Sequence, residues 1–478
     1  MSDGSKKNKI IKGGFYLTIV NTLSQFLAIA VNIVLARLLL PEDFGLVALT
    51  MTFIGFIVLF TNMGFGSSII HETESTQKEL SSIYWINLAL SVFSFLIIIS
   101  TASFAAVFYE EPKLTPIILV ASINILLSPV FIVQFKLLER DLEFRTISII
   151  NLSGTLIGSI AAVIGAYAGL GVYALVIQAL VSSAIRLVLT LYHKRWLPSF
   201  YFNFKEIKHM IWYSLKFKAS KTALYFERNI DYLILGKFFS SVILGYYAFS
   251  YNIMYTPVKR ISYIFSEVLF PSFSSFKNDK QKILRGYFKS VNLIALVSVP
   301  AMTILAFNAD LIINVVFGNK WDEAIPIVRI LCFAGAIQSV SQFGGIIFSS
   351  IGKPEVSMYV SIGRTILTAS AIVLGVQYGV LWVAYFLVIS KILSFILFLL
   401  VLNRHIPFSI KQLFFSLKGP LVSLISLSII YILVSFEYIT VNPSMLLIVM
   451  LIVAFLVLYI FDKKAVFGIL KVLREKTK

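Results

Sequence analysis

LARLLLPEDFGLVALT, residues 35–50, returns as LGKFFSSVILGYYAFS at residues 235–250. At this spacing of 200 residues, Leu35, Arg37, Gly45, Ala48 and Thr50 meet Leu235, Lys237, Gly245, Ala248 and Ser250. Further on, VFYEEPKLTPIIL (107–119) matches VFGNKWDEAIPIV (316–328) with one inserted residue, which pairs Pro116 with Pro326. The matches keep the same order in both copies. A chance likeness between apolar runs is common, but an ordered set at nearly constant offset is the mark of an internal duplication.

The duplicated material is membrane-spanning. The chain has 478 residues, 58% hydrophobic and 13% charged, with a mean hydropathy of +0.90; a soluble domain carries about 25% charged residues, so a soluble globular protein is excluded. Apolar runs long enough to cross a bilayer, about 20 residues each, number fourteen. Twelve come first, at 13–39, 45–70, 81–108, 114–138, 147–168, 172–192, 214–239, 245–272, 288–317, 323–351, 356–377 and 380–402. Two more follow at 420–436 and 444–461. The first run is too long for a signal-peptide core and lacks a small-residue cleavage site, so it reads as a retained helix.

The expected fold is therefore an all-α polytopic membrane protein: two pseudo-symmetric six-helix bundles plus two C-terminal helices, about fourteen transmembrane helices in all. The organisation reads as a cytoplasmic N-terminal segment (1–12), a first bundle (13–192), a basic linker (193–213), a second bundle (214–402), two additional helices (403–461) and a basic tail (462–478). An even number of spans per copy gives both the same orientation, with an axis along the membrane normal, as in transporters that open a midplane cleft to either side by rocking.

Charge sets the orientation. Lys and Arg number 41 against 23 Asp and Glu, and they gather in alternate loops: Lys6 to Lys12, Lys194 to Lys208, Lys277 to Arg285, Arg404 to Lys418, and the tail. The opposite loops hold Lys113 and Lys320 among acids, so the positive-inside rule puts both termini in the cytoplasm. The loop HETESTQKEL (71–80) falls inside although it is acidic, and acids weigh little in that rule. External loops are too short for the large polar loop of a membrane glycosyltransferase or polymerase. A single cysteine, Cys332, excludes an intramolecular disulfide. Neither a Cys/His metal spacing nor a phosphate-cradling glycine motif is present, so no cofactor, metal, nucleic-acid partner or covalent chemistry is expected.

Polar residues inside spans point to function, because an ionised side chain at a helix centre costs about 2.5–3.5 kcal/mol. The seventh span, KFKASKTALYFERNIDYLILGKFF (216–239), aligns Lys218, Lys221, Tyr225, Arg228 and Tyr232 on one face by steps of three and four. Glu227 and Asp231 lie beside it. The first span sets Asn21, Gln25, Ala28 and Asn32 on one face, either as partners for sugar hydroxyls or as glue between helices. Arg186 and Arg329 are further cavity candidates. Lys216, Lys218, Lys259, Arg260, Arg364 and Lys391 are read either as cavity groups or as snorkelling side chains. The candidate substrate-binding set is Arg228, Lys221, Tyr225, Tyr232, Asn21, Gln25, Asn32, Arg329 and Arg186. Glu227, Asp231 and Glu267 are candidates for ion coupling or for structural ion pairs.

The segment from Arg228 to Ser274 resembles the signature of the polysaccharide transporter family, the Wzx-type oligosaccharide flippases. Its elements are Arg228 and Asp231, Gly236 and Lys237, then Gly245-Tyr246-Tyr247-Ala248, Pro257, and Phe270-Pro271. LARLLLPEDFGLVAL (35–49) is similarly typical. More narrowly, the chain is similar to the branch of colanic acid exporters and teichuronic acid translocases. The resemblance spans nearly the whole chain. It implies the multidrug/oligosaccharidyl-lipid/polysaccharide superfamily fold, residence in the bacterial inner membrane, and an undecaprenyl-diphosphate-linked oligosaccharide as substrate. Membrane lipids, a polysaccharide polymerase and export machinery are the other implied partners. Cation-coupled multidrug exporters of that superfamily commonly carry a carboxylate in the first span, and here none lies between Lys12 and Arg37. The remaining alternatives are a peptidoglycan lipid flippase, such an exporter, or a membrane glycosyltransferase.

Overall fold

The computed structural model describes residues 3–61, 69, 75–275, 279–342, 344–351, 353–436 and 442–461. Among them every regular element is a helix. Twelve stretches are long and apolar enough to cross a membrane, and two further helices of 35 residues each, Phe204–Phe238 and Ser241–Ser275, occupy the seventh and eighth expected positions. The chain divides into two compact units, residues 1–245 and 246–478.

The first unit contains α1 (Asp3–Leu38), α2 (Pro41–Thr61), α3 (Gln77–Phe108), α4 (Leu114–Arg140), α5 (Phe144–Tyr167), α6 (Val172–His193) and α7 (Phe204–Phe238). Short turns join α3 to α4 and α5 to α6, which makes these pairs antiparallel neighbours. In the second turn Gly169 and Gly171 take φ of 77° and 52°, values that favour glycine. Packing of α1 rests on Val31, Leu35 and Leu39, four residues apart on one stripe, against Ala162 of α5 and Ala174 of α6. Small residues let α5 and α6 approach closely: a Cβ on Gly158 would overlap the Ser182 hydroxyl.

α2 packs on α3, α4, α6 and α7. The helix of residues 204–238 falls within the first unit, where α2 is among its partners. Side chains 173 and 127 residues apart in the chain fix it there, Tyr225 on Thr52 and Lys237 on Glu110, and no local signal announces such pairings.

Ser241–Ser275 forms α8, whose first turn meets the first turn of α2 backbone to backbone. A Cβ on Gly45 would overlap the Ser241 carbonyl oxygen, and a Cβ on Gly245 would overlap that of Pro41. Positions related by the 200-residue repeat thus exchange roles in one contact.

The second unit continues with α9 (Lys280–Phe307), α10 (Ala309–Val316), a 3₁₀ turn (Asn319–Ala324), α11 (Ile325–Ser341), α12 (Gly344–Ser350), α13 (Pro354–Val376), α14 (Val380–His405), α15 (Ile410–Ser435) and α16 (Pro443–Phe461). α9 is central. It packs on α11 and α15, and its Tyr287, Val291 and Ile294 share a core with Phe348 and Phe398. The last two helices join through Leu427, Leu446, Met450 and Ala454, with Phe307 stacked on Tyr431 at 4.2 Å. Trp321, fully buried, stacks on Phe249 at 3.8 Å.

Two expected spans are broken. The run 288–317 divides at Asn308, whose buried amide donates to the Ile304 carbonyl oxygen at 2.9 Å and ends α9. The run 323–351 divides after Ser341, where the Arg364 guanidinium donates to the Ser341 carbonyl oxygen at 3.0 Å. α12 then starts at Gly344, against the ring of Phe398, where a Cβ would not fit. Helix starts extend the expected limits because caps lie upstream. Thr76 and Glu79 form a capping box on α3, which gives the acidic loop a structural use for one of its acids.

Candidate functional site

The polar face of α7 divides between two neighbours. Tyr225 donates its hydroxyl to the Thr52 carbonyl oxygen of α2 at 2.5 Å, and its ring fills the space left by Gly55, where a Cβ would sit 3.0 Å from the ring. Phe226 adds an edge contact with Phe56, centroids 6.0 Å apart. One turn on, Asp231 is 4% exposed and accepts a hydrogen bond from the Tyr232 backbone N–H at 3.0 Å. Glu227 and Tyr232 are half-buried.

Arg228 differs from all of them. It is exposed, and among the described residues it forms no hydrogen bond or ion pair. At 1.5 Å per residue it lies about 15 Å from the end of α7, close to half the thickness of a ~30 Å hydrocarbon core.

α1 packs chiefly on α5, and its amide face lies away from that stripe. Gln25 and Asn32 are exposed and Asn21 is half-buried, and none of the three forms a hydrogen bond among the described residues.

Arg186 of α6 is half-buried against Gly154 of α5, where a Cβ would approach its side chain to 2.8 Å, and its Nε is buried without a partner. Arg329 lies in the second turn of α11 and pairs with Asp310 of α10, so its charge is already met near a helix end. The side chains of Lys221 and Glu267 lie outside the described residues. Tyr225, Glu227, Arg228, Asp231 and Tyr232 thus share α7, whereas Arg186 belongs to α6 and Arg329 to α11.

Charged residues outside the candidate set meet at one end of the first unit. Lys237 donates to Glu110 at 2.7 Å and stands 5.4 Å from the Phe108 ring centroid. The hydrogen bond from Lys237 holds the Glu110 carboxyl below the usual carboxylate range. Lys113 donates to Glu42 at 2.5 Å, which holds its amine above the usual range. Burial raises the Tyr109 hydroxyl. Gly236 admits Leu49 and Tyr109 against the backbone of α7. The available signal was the pair of opposite charges on loops of the same side.

The chemistry offered is recognition. An unpaired guanidinium supplies charge-assisted, bidentate hydrogen bonds to phosphate oxygens, and amides supply donors and acceptors for hydroxyls.

Comparison with known proteins gives a consistent result. Residues 34–326 match the family described as polysaccharide biosynthesis protein. The chain is 27% identical over 378 residues to the teichuronic acid biosynthesis protein TuaB of Bacillus subtilis (strain 168), covering 78% of each chain. It is 25% identical over 421 residues to the lipopolysaccharide biosynthesis protein WzxC of Escherichia coli (strain K12), covering 87% of this chain and 85% of that one. Among solved structures it is similar to the lipid II flippase MurJ in an inward closed conformation, with a TM-score of 0.70 and 15% identity over 93% of this chain and 97% of that one. At that identity the likeness is one of fold.

Proposed function

Because the chain belongs to the polysaccharide biosynthesis protein family, we propose that it is a flippase for lipid-linked oligosaccharide, carrying undecaprenyl-diphosphate-linked repeat units across the bacterial cytoplasmic membrane by alternating access. The observation that carries this reading is Arg228, a mid-span guanidinium that is exposed and unpaired among the described residues. A diphosphate crossing the membrane must exchange its water for cationic donors, and a glycan must exchange its water for amides and hydroxyls. Arg228 and the open amides of α1 offer both, while the polyprenyl tail stays in lipid. No bond is made or broken.

The names of the relatives support the substrate class, and the fold shared with a lipid II flippase supports the mode of action. A cation-coupled exporter fits less well, because α1 carries no carboxylate between Lys12 and Arg37. The alternation of basic and acidic loops supports a cytoplasmic location for both termini.

The test uses the purified protein in vesicles with a fluorescent undecaprenyl-diphosphate oligosaccharide. Arg228→Ala is expected to slow translocation about ten- to a hundredfold, the equivalent of the ~1.5–3 kcal/mol of a hydrogen bond to a charged group. Arg228→Lys retains part of the activity, because charge survives and the bidentate geometry does not. Full translocation by the alanine variant, at matched protein content, removes Arg228 from the path.

A further inference from the structure

Between α6 and α7 the chain runs without helix over residues 194–203, and it is strapped to the end of α3. Trp85 donates its indole N–H to the Ser199 carbonyl oxygen at 2.8 Å, and Gln77 donates its amide to that of Leu197 at 2.8 Å. Trp196 donates in turn to the Gln77 side-chain oxygen at 2.5 Å. The backbone N–H groups of Ser199 and Asn203 donate to the hydroxyls of Ser81 and Ser82 at 3.0 and 3.1 Å, and Gln134 of α4 reaches the Trp196 carbonyl oxygen at 3.2 Å. The inner side of the strap is thus tied to α3 and α4 by hydrogen bonds, and the Trp196 ring packs edge-on against Tyr84 with centroids 6.2 Å apart.

Its outer side is of a different kind. Leu197 is 75% exposed, Phe200 98% with one face of its ring stacked on Trp85 at 5.6 Å, Phe202 54% and Phe204 52%. Beside them Arg195, Lys205 and Lys208 are exposed, and none of the three forms an ion pair among the described residues. The neighbouring charges are already matched: Lys194 pairs with Asp141 at 2.6 Å, and Glu206 accepts from Tyr201 at 2.6 Å. The strap starts where the membrane span of α6 ends, at His193. Four large apolar side chains are costly in water and three cations are costly in hydrocarbon, and both conditions are met only where acyl chains give way to headgroups.

We propose that residues 194–208 form a rigid interfacial anchor that binds the phosphates of anionic bilayer phospholipids through Arg195, Lys205 and Lys208 while Leu197, Phe200, Phe202 and Phe204 enter the acyl boundary. The occupant is a lipid surface rather than an acidic protein because the apolar and basic groups share one short stretch at the end of a span. This inference is independent of the translocated substrate.

The experiment reconstitutes the full chain into vesicles of phosphatidylcholine with and without phosphatidylglycerol. A spin label on Phe202→Cys in a Cys332→Ala background reports depth, and spin-labelled lipids report headgroup preference at the protein surface. The label is expected to collide more with oxygen than with a water-soluble nickel chelate. The wild-type chain should prefer phosphatidylglycerol, and the variant Arg195→Gln, Lys205→Gln, Lys208→Gln should lose that preference by about fivefold per cation, the ~1 kcal/mol each is worth near a charged surface. The three side chains are exposed and take no part in the strap's hydrogen bonds, so thermal unfolding in detergent is expected to be unchanged. A label in water in both vesicle types overturns the proposal and turns the face toward a protein partner. An unaltered phosphatidylglycerol preference in the glutamine variant overturns it as well.

Discussion

Tyr225 and Arg228 stand one turn apart on the same face of α7, and the structure gives them opposite environments. The tyrosine hydroxyl ends on a carbonyl oxygen of α2, in a space that exists because residue 55 is glycine. Tyr225→Phe is expected to lower stability by about 0.5–1.5 kcal/mol, the net worth of one hydrogen bond, seen as a lower thermal unfolding midpoint in detergent, with translocation retained. Loss of translocation at unchanged stability would return the hydroxyl to the substrate path. The spacing of three and four was enough to place Arg228 on a polar face, since helical periodicity is a local property. It could not reveal which of its neighbours another helix absorbs, because that depends on Thr52 and Gly55, far away in the chain. Asp231 shows the same limit: its spacing sets it beside the polar face, whereas in the fold it is buried and accepts from the Tyr232 backbone N–H.

At the level of elements, the helices were legible because apolar runs and caps are written locally, and the two breaks were not. Asn308 reads as one polar residue in an apolar run, and its function as a helix end appears only with its bond to the Ile304 carbonyl. Arg364 reads as either a cavity group or a snorkelling cation, and its bond to the helix end appears only when Ser341, on another helix, ends beside it. The repeat itself was legible as text, but the mutual contact of its glycines was not. That contact makes a prediction at this scale. Gly245→Ala places a methyl group on the Pro41 carbonyl oxygen, a backbone atom that cannot rotate away, so the first turns of α2 and α8 must separate. A destabilisation of about 1–3 kcal/mol is expected, read as a fall in the unfolding midpoint. Gly363→Ala is the control, since its new methyl meets only the end of the flexible Leu397 side chain and should cost far less. Equal effects at both positions would dismiss the backbone contact.

For the molecule as a whole, cross-links between loops sort by side. Glu42, Glu110, Lys113 and Lys237 are joined at one end of the first unit, and Asp141, Lys194, Gln77 and Leu197 at the other. The basic loop 193–213 lies at the second of these ends, which the positive-inside rule assigns to the cytoplasm. Reporter fusions after Trp196 and at Lys478 are therefore expected to give a cytoplasmic signal, and fusions after Glu111 and Lys320 an external one. A Lys478 fusion reporting the outside would require an odd number of spans. The seam between Gly45 and Gly245 has one more consequence. Both close approaches are made by backbone carbonyl oxygens, those of Ser241 and Pro41, which no change of rotamer can move. The two copies of the repeat therefore constrain each other's sequence: while the turn of one copy keeps its carbonyl in place, the other has room for no side chain at its glycine.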